Sequence, residues 1–269
     1  MPPLVKPSIG TDVACNIKSG CMGIGSMVTL NCDMGESFGN WSFGDDEGIM
    51  PFVDFANIAC GFHASDPSTM ASTVKLAAEL GKGIGAHPSL PDKEGFGRRA
   101  MVLKAAELRE CFIYQLGALS GFLRAEGLPM AHLKPHGIVY GMAAQDENLA
   151  IAIAQAAAIF NVPLFGMAGT AHELAANKVG IPFIGEFFAD LQYSSDGGLI
   201  IPRVQSAVDI EAAVERIKRA LETAQVAASD GTMLDISFQT ICIHSDPPNA
   251  RNFAKEIRRV LDEMVQSNN

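Results

Sequence analysis

Apolar and polar positions along this chain follow two recurring rhythms. Short apolar runs at residues 28–30, 55–60 and 84–86 read as strands. Between them, apolar residues fall three or four apart, as at Met70, Val74, Ala77 and Ala78, which is the spacing of one helix face. Asp66-Pro67 opens that helix, Asp as the N-cap and Pro at the first helical position, and Gly81 and Gly83 end it. The unit then recurs. A helix marked by Leu108, Phe112, Leu116, Leu119 and Leu123 leads to a strand at 131–134. An Ala-rich helix at 149–160 leads to a strand at 163–167, and a short helix at 171–177 to a strand at 181–185. Ile210, Val214, Ile217 and Leu221 precede the strand at 236–243, and Ile257, Val260, Leu261 and Met264 mark a final helix. About seven such units with no linker predict a parallel sheet, closed by right-handed crossovers into a single β/α-barrel domain over 27–269. Residues 1–26, rich in Gly, Pro, Ser and Lys, read as an N-terminal lead-in, either flexible or a strand pair closing the barrel bottom.

Composition narrows the function. At 269 residues with 48% hydrophobic content, the chain has ample apolar material for one large core. A formal charge of −10 argues against a nucleic-acid partner, which selects a basic face. No apolar stretch approaches the roughly 20 residues that span a bilayer, so a membrane role is not expected. Met1-Pro2-Pro3 lacks a basic region followed by an apolar one, so the expected location is cytoplasmic. Cysteines 15, 21, 32, 60, 111 and 242 form no CxxC pair and read as reduced structural thiols. Self-association into a homo-oligomer is left open.

The chemistry-bearing residues cluster where the predicted strands end, the face at which barrel enzymes build their sites. The clusters are Asn31 to Glu36, Asn57 to Pro67, Gly85 to Pro88, Gly95 to Arg99, His132 to Gly137, Gly185 to Asp190 and His244 to Pro247. Asp33, His63, Lys134, His136 and Glu186 each stand near Gly or Pro, where a ligand can approach the backbone. A lysine in a barrel mouth is desolvated and needs a carboxylate partner or a chemical role; Asp33 and Glu186 are the candidate partners. Asp33, Lys134, His136 and Glu186 form the expected catalytic set. Asn31, Glu36, His63, His87, Arg98, Arg99, Asp190 and His244 form the expected substrate-binding set. Arg98-Arg99 reads either as a clamp for a carboxylate or phosphate, or as a surface pair ordering its loop against Asp92 or Glu94. Asp66 reads as a helix cap, Asp45 and Asp46 as first-turn helix residues, and His172 as a surface residue. His132 is expected to point away from the site that Lys134 faces.

Residues 30–39, Leu-Asn-Cys-Asp-Met-Gly-Glu-Ser-Phe-Gly, resemble the opening signature of the LamB/YcsF family of lactam-utilisation proteins. The stretches 57–67, 85–89, 95–99, 114–119, 134–140 and 186–190 follow in that family's order, and the resemblance runs from about residue 28 to the C-terminus. It implies a seven-stranded parallel barrel of the glycoside hydrolase/deacetylase type. It further implies a component of an ATP-dependent 5-oxoprolinase, which converts 5-oxoproline, ATP and water to glutamate, ADP and phosphate together with partner B and C subunits. The chain departs from the family at Ser65, where Gly is common, and at Leu191, where an Arg is common and would bind anions. It also departs at Thr29 and at 138–141. With no G-x-x-x-x-G-K-[ST] loop, ATP is gripped unconventionally or by a partner. Two other readings stand beside this one. In the first, Asp33, His63 and His87 or His136 bind a divalent metal in a carbohydrate deacetylase. In the second, the barrel mouth only holds a ligand while partners do the chemistry.

Overall fold

In the computed structural model, which describes residues 28–202 and 205–267, six parallel strands form one curled sheet. In chain order the elements are β1 (Thr29–Met34), α1 (Asp46–Ile49), β2 (Phe55–Ala59), α2 (Pro67–Glu79), β3 (Gly83–His87) and α3 (Ala105–Ala125). Then come α4 (Ile138–Gln145), α5 (Glu147–Ile159), β4 (Leu164–Gly166), α6 (Ala171–Val179), β5 (Phe183–Phe188), and the short β6 (Gln192–Tyr193) and β7 (Leu199–Ile200). The chain continues with α7 (Ile210–Thr223), β8 (Gln225–Ala227), β9 (Met233–Asp235), β10 (Thr240–Ile243) and α8 (Ala250–Ser267). The sheet order is β3-β2-β1-β10-β5-β4, while β6 pairs with β7 and β8 with β9 as separate antiparallel ribbons. The lead-in at 1–26 and Cys15 and Cys21 lie outside the described residues.

The seventh strand expected at 131–134 does not form. Leu133 instead makes isolated parallel bridges to Ala86 of β3 and Leu164 of β4, the two edge strands. Lys134 N donates to Ala86 O at 2.9 Å and Phe165 N to Leu133 O at 2.9 Å. Pro135 has no N–H to give toward the β4 side, while on the β3 side His136 N still donates to Pro88 O at 2.9 Å.

Alternation along the strands separates two environments. On β1, Leu30, Cys32 and Met34 join the main apolar core, which includes Phe112 and Leu116 of α3 and Phe253 and Ile257 of α8. Asn31 and Asp33 take the opposite face, buried but polar. A small apolar cluster of Phe55, Phe165 and Ile184 packs apart from the main core. His132 stacks on Phe165 at a centroid distance of 3.8 Å. Gly85 leaves room for that imidazole, since a Cβ there would collide with the ring.

The Asp66 cap forms as expected, its carboxylate accepting from the amides of Ser68 and Thr69, whereas Asp45, expected in a first turn, is the N-cap of α1 and accepts from Gly48. Asp46 instead accepts from Gly35 N at 2.8 Å, and burial pushes its pKa up to about 6. His172 is not at the surface. It lies on the inner face of α6, where Met167 N donates to its Nδ1 and Tyr140 packs edge-on, and burial pushes its pKa down to about 4. No helix among the described residues is long and apolar enough to cross a membrane.

Candidate active site

Because all six strands run parallel, their C-terminal ends share one face, and a narrow cleft opens there. Asp33, His87, Lys134, His136 and His244 line it, with Arg98, Tyr140 and Phe188. Leu191, Leu199 and Ile201, in and around the β6–β7 ribbon, form an apolar wall.

At the floor the Lys134 ammonium donates to Asp33 Oδ1 at 2.5 Å, and each side chain is all but inaccessible to solvent. Asn57 Nδ2 also donates to Asp33 Oδ1, at 2.8 Å, while His87 Nε2 lies 3.0 Å from Oδ2. Burial opposes the charge on Asp33, yet His87 and Lys134 outweigh it and hold the carboxyl well below its ordinary range. Burial likewise opposes the ammonium, but the Asp33 carboxylate above all outweighs it and keeps Lys134 charged. The pair is therefore ionic, and each member depends on the other.

Behind it runs a polar chain. Asn57 Nδ2 donates to Asn31 Oδ1 at 2.7 Å, Asn31 Nδ2 donates to Thr240 Oγ1 at 2.9 Å, and His132 Nε2 lies 2.6 Å from Asn57 Oδ1. Asn31, expected on the substrate, is thus occupied in bracing Asn57. His132 does not point away from Lys134's side of the segment; two residues apart in an extended stretch, both side chains turn the same way.

Behind Tyr140, which lines the cleft, lies Glu186 on β5, buried and not itself part of the lining. Its Oε2 accepts from the Tyr140 hydroxyl at 3.1 Å, and burial raises its pKa to about 7 against the opposing pull of Lys134. The opposite side carries His244, whose Nδ1 lies 3.0 Å from Asp190 Oδ2 and whose Nε2 lies 3.7 Å from Asp33 Oδ2. Burial would lower this imidazole, but Asp190 outweighs it and raises the pKa to about 9, so His244 is a cation at neutral pH. At the mouth Arg98 pairs with Asp246 at 3.4 Å.

Arg99 does not join this set. Its guanidinium is bound to Asp92 and lies 3.6 Å from Glu94, with the side chain 63% exposed. The two arginines divide the roles that their shared loop suggests: one enters the cleft and the other orders the loop. Leu191 is buried against the cleft; Arg216 of α7 reaches its carbonyl and that of Phe188.

Deeper in, Glu36, His63, His87 and His136 converge, and their ligand-type atoms lie within 4.8 Å of one another. A second group, Asp33, Cys242 and His244, meets the same spacing. It is the poorer cation site: Lys134 already neutralises Asp33, and burial pushes the Cys242 thiol far up.

Tyr140 and Asp246 both reach the site although neither belongs to the expected catalytic or substrate-binding set; Asp246 falls within the strand-end cluster His244 to Pro247. Tyr140 follows Gly137 on a helix, α4, that the apolar spacing does not reveal. Asp246 stands two residues after His244, beside prolines that mark only a turn.

The LamB/YcsF family model matches residues 28–268. The chain is 48% identical over 242 residues to the 5-oxoprolinase A subunit of Bacillus licheniformis, covering 88% of this chain and 95% of that one. It is 43% identical to the lactam utilization protein lamB of Emericella nidulans, with 87% and 94% covered. A crystal structure of a lactam utilization protein from Thermus thermophilus superposes with a TM-score of 0.80 at 39% identity, covering 89% of this chain and 97% of that one.

Proposed function

Because the chain belongs to the LamB/YcsF family, we propose that it is the A component of an ATP-dependent 5-oxoprolinase. It opens the lactam amide of 5-oxoproline to glutamate with ATP cleavage, in concert with partner B and C subunits in the cytoplasm. The observation that carries this reading is the convergence of three cations, Lys134, His244 and Arg98, on one cleft.

A five-membered lactam is a weakly strained amide, so water does not open it at a useful rate unless its carbonyl is activated. Transfer of a phosphoryl group from ATP to the carbonyl oxygen supplies that activation. The chain lacks a P-loop sequence, so ATP is bound on a partner or jointly with one. The residues here do the rest. Lys134 and His244, pre-oriented by Asp33 and Asp190, donate toward the phosphoryl oxygens on the activated carbonyl. Water adds to that carbon, the ring C–N bond breaks as the nitrogen takes a proton, and a second water releases phosphate from the resulting acyl phosphate. Arg98 takes the substrate carboxylate at the mouth. Glu186, with a pKa of about 7, exchanges a proton near neutrality through its Tyr140 contact. The apolar wall at Leu191, Leu199 and Ile201 excludes water other than the attacking molecules. Through the bridges at Leu133, the segment 131–136 ties the two edges of the six-stranded sheet together.

The test is reconstitution. The purified chain alone is inactive, and adding the B and C subunits gives phosphate release that depends on 5-oxoproline. A folded, assembled complex that releases none would refute the reading. Deacetylation of an acetylated sugar is the competing activity, favoured by the Glu36–His63–His87–His136 cluster, and belongs in the same substrate screen.

A further inference from the structure

Two backbone carbonyls decide where the protons sit on a pair of buried histidines. His87 Nδ1 lies 2.8 Å from Lys134 O, and His136 Nε2 lies 2.9 Å from Phe96 O. A carbonyl only accepts, so each of these nitrogens carries the hydrogen. In the neutral rings, the remaining nitrogens, His87 Nε2 and His136 Nδ1, are then bare lone pairs. They face each other at 3.0 Å. Glu36 Oε1 lies 3.4 Å from His136 Nδ1 and 3.3 Å from His63 Nε2, and Asp33 Oδ2 stands 3.0 Å from His87 Nε2. Electron-pair donors thus converge on one point, and no hydrogen lies between the two facing nitrogens to join them. All of these side chains are buried, and burial pushes the three imidazoles toward their neutral forms.

We propose that Glu36, His63, His87 and His136 bind a divalent transition-metal cation of the zinc or cobalt class. Imidazole-rich sites with one carboxylate select these ions over magnesium or calcium, which take oxygen ligands. The closest donor separations, 3.0 to 3.4 Å, bracket the edge of a tetrahedron built on typical zinc–nitrogen bonds, about 3.4 Å. The carbonyls of Lys134 and Phe96 supply the outer hydrogen bonds that orient metal-ligating histidines. His63 and His136 stack at 3.7 Å, so the His63 ring rotates to bring its nitrogen onto the ion. The competing occupant is a proton: one on His87 Nε2 would join it to the Asp33 carboxylate 3.0 Å away and hold that carboxyl low, and burial also raises the Glu36 carboxyl, which when protonated could donate to an imidazole.

The metal site does not depend on the lactam reaction, so it is tested on the full chain without partner subunits. The chain is purified in chelator-free buffer, stripped, and titrated separately with zinc and cobalt. Elemental analysis and calorimetry measure stoichiometry, and cobalt absorption reports the ligand set. The expected result is about one ion per chain with the intense visible absorption of a low-coordinate cobalt site. His136→Gln and Glu36→Gln, checked for native circular dichroism, should each weaken binding by about a hundredfold or more. Histidine ¹⁵N spectra of the wild-type chain should show His87 Nε2 and His136 Nδ1 unprotonated and shifting when metal is added. Failure of the folded wild-type chain to bind either ion, or ¹⁵N shifts showing a proton on those nitrogens with metal present, overturns the proposal.

Discussion

Lys134 and Asp33, 101 residues apart in the chain, meet at 2.5 Å on the cleft floor with almost no exposure of either side chain. Neither charge is solvated, so each is stabilised by its partner and by the hydrogen bonds around it. Removing one partner leaves a buried charge alone, which costs more than removing both. Lys134→Met should therefore destabilise the chain by about 3–5 kcal/mol. Lys134→Met combined with Asp33→Asn should recover much of that loss. Urea unfolding of the three proteins measures the coupling, and a double variant as unstable as the sum of the single ones would contradict it.

His244 makes the site sensitive to alkali. Its pKa rises on folding from the ordinary histidine value of about 6.5 to about 9, so its contribution to stability is complete below about pH 6.5 and lost as pH climbs through about 9. The difference should amount to about 3 kcal/mol of unfolding free energy between those limits. In the assembled enzyme, kcat/KM should fall above about pH 9 as the cation is lost. His244→Gln should lower activity and abolish that basic limb.

Glu186 works in the same direction at lower pH. Its folded pKa of about 7 exceeds the unfolded value, so the protonated form is favoured, and stability declines as pH rises from about 4.5 through about 7. Glu186→Gln, which imitates the neutral acid, should flatten this slope and stabilise the chain at about pH 8 by roughly 3 kcal/mol. The same variant should reduce turnover in the complex. A pH–stability curve unchanged by the substitution would show that Glu186 titrates normally.

The two loop arginines should separate cleanly. Arg98→Ala should raise KM for the lactam about tenfold or more, consistent with loss of a charge-assisted hydrogen bond to the substrate carboxylate. Arg99→Ala should leave KM unchanged and cost little stability, because the buried Asp92 carboxylate keeps the Gly95 and Arg99 amides and the Arg99 side chain is itself 63% exposed. Steady-state kinetics of the two variant complexes make the comparison, and equal effects on KM would contradict this division.

Much of this is legible in the sequence because parallel strands expose all their C-terminal ends on one face. Asp33, His87, Lys134 and His244 follow that rule. The residues that depart from expectation do so for identifiable reasons. His132 shares the face of Lys134, as residues two apart in an extended segment must. His172 occupies a helix position that is polar in type but packed against Tyr140 in fact, a contact between elements that local pattern cannot show. The segment 131–134 has a strand's composition, yet only Leu133 bridges its neighbours before Pro135. Helix α4 and the β6–β7 ribbon carry too little periodicity to announce themselves, and they supply Tyr140 and part of the apolar wall. The split between Arg98 and Arg99 depends on where the loop places Asp92 and Asp246, which adjacency in sequence does not determine. Ser65 adopts a left-handed backbone, φ 70°, a conformation that suits glycine, so it bears backbone strain.

The most direct test of the whole account is turnover by the reconstituted complex carrying Asp33→Asn or Lys134→Ala in this chain, with assembly verified by size. The buried pair is assigned to the reaction, so glutamate formation from 5-oxoproline should drop by about a hundredfold or more for each variant. Wild-type turnover in a correctly assembled variant complex would mean that the chemistry lies on a partner and that this cleft only holds a ligand.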